Sequence, residues 1–143
     1  MSASTPVIPS AAEYSSAPVQ FPQLKVVDLV NSAHAATGTY RNIVVNQVND
    51  HCLRLSTLQG EYPWHFHAHS DELFLVLEGH LLIDFAERPT LRLDPGQMVT
   101  VPAGTIHRTR TDTRVVSVCF EQSNADTEFV PPPAEWVSHA PSR

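Results

Sequence analysis

Between residues 40 and 121 the chain alternates apolar and polar positions with a period of two, in brief runs separated by turn chemistry. The runs are YRNIVVNQV, CLRLSTL, ELFLVL, LLIDF, TLRL, QMVTV, HRTRT and RVVSVCF. A strand places alternate side chains on opposite faces, so this pattern predicts many short β-strands, each with one buried face. The connectors agree. Asn49-Asp50 suits a hairpin turn because both residue types tolerate positive φ, and Asp94-Pro95-Gly96-Gln97 puts Pro and Gly at the second and third positions of a type II turn. Pro102 and Gly104 fit the second and fourth positions of a type I turn feeding the strand that starts at His107. Only residues 26–36 carry a pattern that could make a helix. The expectation is an all-β, antiparallel sandwich or small barrel with one short N-terminal helix.

The flanks read differently. Residues 1–22 are rich in Ser, Ala and Pro, which predicts a flexible arm, and residues 123–143 form a Pro-rich tail. Between them, 23–122 is one domain, as expected for a chain of 143 residues. Pro131-Pro132-Pro133 favours polyproline geometry, leaving Trp136 free either to dock on the barrel or to trail in solvent.

Composition narrows the function classes. The chain is 42% hydrophobic and 17% charged with a formal net charge of −6, and Lys25 is the only lysine beside eight arginines. No basic stripe exists to neutralise a phosphate backbone, so nucleic acid is not an expected partner. The start lacks a positively charged segment followed by an apolar one, and no apolar run approaches the ~18 residues of a membrane span. A cytoplasmic protein without a membrane partner is expected. Cys52 and Cys119 lie inside strand-like runs and read as buried packing residues.

The chemistry concentrates in WHFHAHSDE, residues 64–72, which holds three of the eight histidines. On a strand, His65 and His67 project to one face about 6.6 Å apart. Glu72 opens the next strand-like run and supplies a carboxylate from a neighbouring turn. Two imidazoles and a carboxylate suit a divalent ion, and His107, delivered from the 102–104 turn, is positioned to add a fourth ligand.

With these residues in place the chain resembles a small single-domain cupin. The family's first motif, G-x5-HxH-x3,4-E-x6-G, is matched by His65, His67, Glu72 and Gly79. Its second, G-x5-PxG-x2-H-x3-N, is matched by Gly96, Pro102, Gly104 and His107. Gly60 lies one residue nearer the first histidine than the pattern asks, and Thr111 stands where the family has Asn. The resemblance implies a jelly-roll barrel, a double-stranded β-helix, with one divalent metal held by His65, His67, Glu72 and His107. His69 is a lesser candidate ligand that the motif spacing skips. His80 reads as a rim residue, and His34, His51 and His139 as structural.

Three protein nitrogens and one oxygen leave about two positions open on an octahedral ion, enough for a substrate and a second reactant. The leading expectation is a non-haem dioxygenase using iron(II), with manganese, nickel or zinc as other ions, acting on a small organic substrate. A non-redox isomerase, cyclase or lyase and a non-catalytic small-molecule binder are the alternatives, since fold does not fix function. Alternation places Phe74 and Val76 on the inward face with Glu72. Trp64 is expected near the mouth, and Arg54, sharing a face with Ser56, as a substrate anchor. The opposite positions Leu73, Leu75 and Leu77 form an apolar stripe that needs a cover, and a homodimer is the expected assembly.

Overall fold

A computed structural model describes residues 6–134 and Trp136; His139 lies outside the described residues. Among the described residues two short helices, α1 (Ala11–Ser15) and α2 (Leu29–His34), precede nine strands. The strands are β1 (Tyr40–Val48), β2 (His51–Glu61), β3 (His65–His67), β4 (Glu72–Glu78) and β5 (Leu81–Phe85), then β6 (Leu91–Leu93), β7 (Met98–Val101), β8 (His107–Gln122) and β9 (Thr127–Phe129). Their ladders are antiparallel and form one curled sheet, ordered β1-β2-β8-β3-β9, with β4–β7 and β5–β6 paired off the long central strand. This is the all-β jelly-roll architecture predicted from the alternation.

Strand β8 is the spine. One edge follows β2 from Glu121 opposite Cys52 to Arg110 opposite Glu61. The other edge meets β5 through His107–Arg110 and β4 through Val116–Phe120, so a single strand serves two parts of the barrel wall. The sequence runs HRTRT and RVVSVCF were expected as two strands. They are one, because the exposed residues Asp112–Arg114 carry the backbone across a bend while pairing resumes on either side. Beyond the bend, Val115–Cys119 are buried on both faces.

Two apolar clusters account for that double burial. Inside the barrel, Phe74, Val76, Leu81, Ile83, Phe85 and Val115 pack together. On the outer face, Val45, Leu55, Val116 and Val118 are covered by Ala33 of α2 and by Phe21, Val27 and Leu29. Leu75 and Leu77 join this second cluster. Much of the leucine stripe of β4 is therefore sheltered within the chain.

The predicted turns are present at two of three places. Val48 pairs with His51 across Asn49, which takes a φ of 55°. Gln97 N donates to Asp94 O at 3.0 Å with Gly96 at φ 84°, the geometry of a type II turn. At the third, Thr105 N donates to Pro102 O at 3.3 Å and Gly104 has φ 79°. The turn is thus 102–105, with Gly at its third position, because the left-handed φ suits only that slot of a type II turn. Gly104 N also donates to His67 O at 2.8 Å, which ties this turn to the histidine strand.

The N-terminal arm departs most from expectation. Residues 6–22 lie against the barrel, and α1 carries a capping box: Ser10 Oγ accepts from Glu13 N at 3.1 Å while Ser10 N donates to Glu13 Oε1 at 3.0 Å. Tyr14 is buried to 6% exposure, and a parallel bridge joins Val19 to Val44. The domain likewise runs past residue 122, since β9 pairs with β3. The Trp136 ring meets Trp64 edge-on at 5.5 Å.

Candidate metal centre

His65 and His67 come from β3, Glu72 from the first position of β4 and His107 from the first position of β8. Direct pairing of His65 with His107 brings two of the rings together, their centroids 4.3 Å apart. One ligand atom from each of the four residues lies within 4.8 Å of the others, and all four side chains are buried. His67 Nε2 is 3.0 Å and His107 Nε2 3.6 Å from Glu72 Oε1.

The outer nitrogens fix how the rings face. Nδ1 of His65 meets Pro63 O at 2.7 Å, Nδ1 of His67 meets Ala125 O at 3.0 Å, and Nδ1 of His107 meets Thr105 O at 2.8 Å. A carbonyl only accepts, so each Nδ1 carries the proton and each Nε2 is left with a lone pair. All three lone pairs are directed at the cluster, an arrangement that metal-ligating histidines commonly adopt. His107 Nε2 is buried without a hydrogen-bond partner, and a cation would satisfy it. Burial pushes the His65 imidazole down to about 3, with His107 adding to the effect, so it is neutral as a ligand must be. Burial acts against the Glu72 anion, but the neighbouring His107 and His67 outweigh it and hold the carboxyl well below its usual range. Burial also disfavours charge on His67, and the neighbouring Glu72 carboxylate reverses that and raises it. These residues could hold a divalent metal ion.

A second carboxylate stands behind the first. Glu121, which follows the run read as RVVSVCF, has a side chain with 0% exposure. Its Oε1 accepts from Tyr14 Oη at 2.6 Å and lies 3.1 Å from Arg54 Nε, while Oε2 is 3.7 Å from His67 Nε2. Burial and the Glu72 charge push its carboxyl up to about 8. The signal for it was present in the sequence: counting by twos from His107 along one strand reaches Ser117, Cys119 and Glu121 on the inward side. Reading two strands instead of one broke that count.

Beside the cluster is a cavity of about 40 Å³, room for about three waters or the atoms of a small ligand that displaces them. Its walls include Tyr14, Tyr40, Asn42, Ser56, Tyr62 and Phe74. Of the pocket residues expected from sequence, Phe74 lines this cavity. Val76 is inward but belongs to the solid core, with 0% exposure. Trp64 immediately precedes β3 and does not line the cavity; Arg108 lies over its ring at 5.2 Å. Arg54 is not a free anchor: besides Glu121 it donates to Tyr14 O at 2.9 Å and to Asn42 Oδ1 at 3.2 Å, and its Cζ lies 3.6 Å from the Tyr14 ring. Ser56, on the same face, does line the cavity.

The other described histidines pair elsewhere. His69 has an 80% exposed side chain and pairs with Asp126. His80 pairs with Asp112 at 3.1 Å, His34 with Glu78 and His51 with Asp50, each of these last two at 2.8 Å. Cys52 and Cys119 are both free and buried. Thr111, at the family's Asn position, accepts from Thr113 N at 3.3 Å beside the β8 bend. Among the described residues no helix is long and apolar enough to cross a membrane.

Comparison with known proteins agrees with this geometry. Residues 55–120 match the cupin domain family. The chain belongs to the cupins. It is 43% identical over 106 residues to the uncharacterized protein YdbB of Bacillus subtilis (strain 168), a match covering 74% of this chain and 94% of that one. Among solved cupin structures, a cupin-2 domain protein from Shewanella frigidimarina is 29% identical over 70% of this chain and 97% of its own, with a TM-score of 0.65. The protein NMB1881 from Neisseria meningitidis is 26% identical over 68% and 99% respectively, with a TM-score of 0.63. The shared cupin fold accounts for the barrel; the N-terminal arm that brings Tyr14 to Glu121 precedes the matched residues 55–120.

Proposed function

We propose that this cupin is a mononuclear metal enzyme acting on a small chelating organic molecule, with iron(II) as its ion and dioxygen as the second reactant. The observation carrying the reading is the set of three Nε2 lone pairs and one carboxylate brought together beside a cavity. Such a set leaves about two octahedral positions for exogenous ligands. A bound divalent ion would polarise the substrate and, as iron(II), supply redox chemistry that no side chain here provides. The chain's own part is to hold the imidazoles by their backbone acceptors, to keep Glu72 ionised, and to exclude bulk water with Tyr62 and Phe74. Manganese, nickel and zinc also accept such donors.

The test is metal analysis of freshly purified protein, followed by oxygen-electrode measurements on the iron-loaded protein with small diketones, catechols and hydroxy acids. Dioxygen uptake above that of free iron, lost in His107→Ala, supports the reading; no uptake with any of them rejects it.

Tyr14 and Glu121 favour a second reading. A hydroxyl in the cavity wall with a carboxyl directly behind it is an arrangement suited to moving a proton, as a metal-assisted isomerase, cyclase or lyase requires. Solvent deuterium entering a substrate without oxygen uptake, and lost in Tyr14→Phe, would select it. We also propose a homodimer in solution, supported by β7, which pairs only with β4 among the described residues and exposes Met98 to 51%.

A further inference from the structure

The cavity wall carries a polar atom that the described residues leave unsatisfied. Tyr40 lines the cavity from the first position of β1, and its Oη is buried without a hydrogen-bond partner. Its ring stands 5.7 Å from that of Tyr62, centroid to centroid, so the hydroxyl is held by packed aromatic surface. Burial raises the phenol well above its ordinary range, and it stays a neutral donor. Asn42 follows on the same face of β1 and also lines the cavity, with its Oδ1 already taken by Arg54. An orphaned buried hydroxyl costs free energy of about 1–3 kcal/mol unless something bonds to it, and no side chain here does.

The charges around the cavity set a second limit. Among the described residues, no Lys or Arg lines it. The nearby Arg54 is committed to Glu121, Tyr14 and Asn42. A carboxylate or phosphate at the far end of a ligand would be buried without a counter-ion, which is strongly unfavourable. The only place for a ligand's negative charge is the histidine cluster itself.

We propose that the cavity selects small metal-chelating molecules whose far end is uncharged and carries an oxygen acceptor, and that Tyr40 Oη is the donor that reads this oxygen. The proposal rests on the metal-centre reading above and adds to it the substrate class and a specificity-determining residue.

Cobalt(II)-loaded protein, followed by its visible absorption and by calorimetry, tests this with three hydroxamic acids. These are 3-methoxypropanohydroxamic acid, its all-carbon counterpart pentanohydroxamic acid, and the monohydroxamate of succinic acid. The ether should bind about 3- to 10-fold more tightly than the alkyl compound, the size of one hydrogen bond, and the carboxylate most weakly. Tyr40→Phe should erase the preference for the ether and leave the affinity for the alkyl compound unchanged. The melting temperature of metal-free Tyr40→Phe should equal or exceed that of the wild type, since an unpartnered hydroxyl is removed. A lowered melting temperature, or failure to fold, would show that the hydroxyl has a structural partner and overturn the proposal. So would equal binding of ether and alkyl compounds, a preference that survives in Tyr40→Phe, or tight binding of the carboxylate. If the hydroxamates perturb the cobalt bands without regard to their tails, the proposal falls and the metal-centre reading stands. If cobalt does not bind, or no hydroxamate perturbs it, the metal-centre reading falls and the proposal with it.

Discussion

Replacing Tyr14 by Phe removes a single oxygen and keeps the ring that lies 3.6 Å from Arg54 Cζ. The lost group donates to Glu121 Oε1 at 2.6 Å, and Glu121 is fully buried with its other oxygen unpartnered. After the substitution, Arg54 Nε at 3.1 Å is its remaining close partner. A hydrogen bond to a neutral group contributes about 1 kcal/mol and one to a charged group about 1.5–3 kcal/mol. Burial and Glu72 push the Glu121 carboxyl up to about 8, so in the metal-free protein at pH 7 it is mostly protonated and the expected loss is about 1–2 kcal/mol. The sign of the pH dependence follows from linkage. A carboxyl raised above its unfolded value of 4.5 adds stability fully present below that value and lost as pH rises through about 8. Tyr14 donation favours the ionised form, so the variant should raise this carboxyl further and lose more at pH 9 than at pH 6. Urea unfolding of the metal-free protein, followed by circular dichroism at both pH values, measures the difference directly. A variant within about 0.3 kcal/mol of wild type at both, or one that loses more at pH 6, would refute a docked arm coupled to the buried carboxylate.

Four further outcomes are expected. His67→Ala and His107→Ala should abolish binding of one equivalent of metal in an equilibrium-dialysis assay, whereas His69→Ala, on an exposed side chain paired with Asp126, should keep it. In acid, metal-free protein should lose stability: His65, pushed down to about 3, must be protonated against burial as pH falls below 6.5, and Glu72, held below its ordinary value, loses its contribution in the same direction. His67 and Glu121 are raised and oppose them, but the His67 contribution is complete once pH has fallen below 6.5 and that of Glu121 once it has fallen below 4.5, so a melting temperature that rises between pH 4.5 and pH 3 would contradict the assignment. Gly79→Ala should be severely destabilising because its Cβ would come 2.4 Å from Arg114 O at a φ of +75°, while Gly96→Ala, with open space around it, should cost only the roughly 1 kcal/mol of a left-handed φ. Sedimentation should give twice the chain mass of 15.8 kDa for wild type, and Leu75→Arg should unfold the chain rather than release folded monomers, because Leu75 packs in the outer cluster under α2.

The parts of this structure that were legible in the sequence are those governed by local chemistry. Alternation of period two revealed the strands because each has one face on a core, and the Asn49 and Gly96 turns were legible because few residues adopt positive φ. The four clustered side chains followed motif spacing, since a strand fixes where positions 65 and 67 point. The α1 helix carries a local signal too: Ser10-Ala11-Ala12-Glu13 is a capping box, whose mutual hydrogen bonds start a helix even in a Ser-, Ala- and Pro-rich segment. What alternation cannot supply is depth. Phe74 and Val76 share the inward face of β4, yet one lines the cavity and the other is sealed in the core, because the distinction depends on which neighbouring strand crosses beneath each.

Arg54 shows the same limit in charge. Its position in the sequence, two residues from the cavity-lining Ser56, makes it an obvious anchor for an acidic ligand. Whether it is available depends on Glu121, far along the chain, and on Tyr14, in an arm outside the matched family segment. Once those two are in place, a guanidinium that would have admitted anions is instead held against a buried carboxyl, and besides the histidine cluster and the Cys119 thiol the polar side chains left on the cavity wall are hydroxyls and an amide. A cupin barrel with the same metal-ligating residues but without this arm would leave Glu121 without its phenol donor and change the balance of charge behind His67. The candidate metal ligands are thus set by a local motif, and the polarity of the space beside them by residues from opposite ends of the chain. That division is why the ligand residues were readable from spacing alone and the chemistry of what binds there was not.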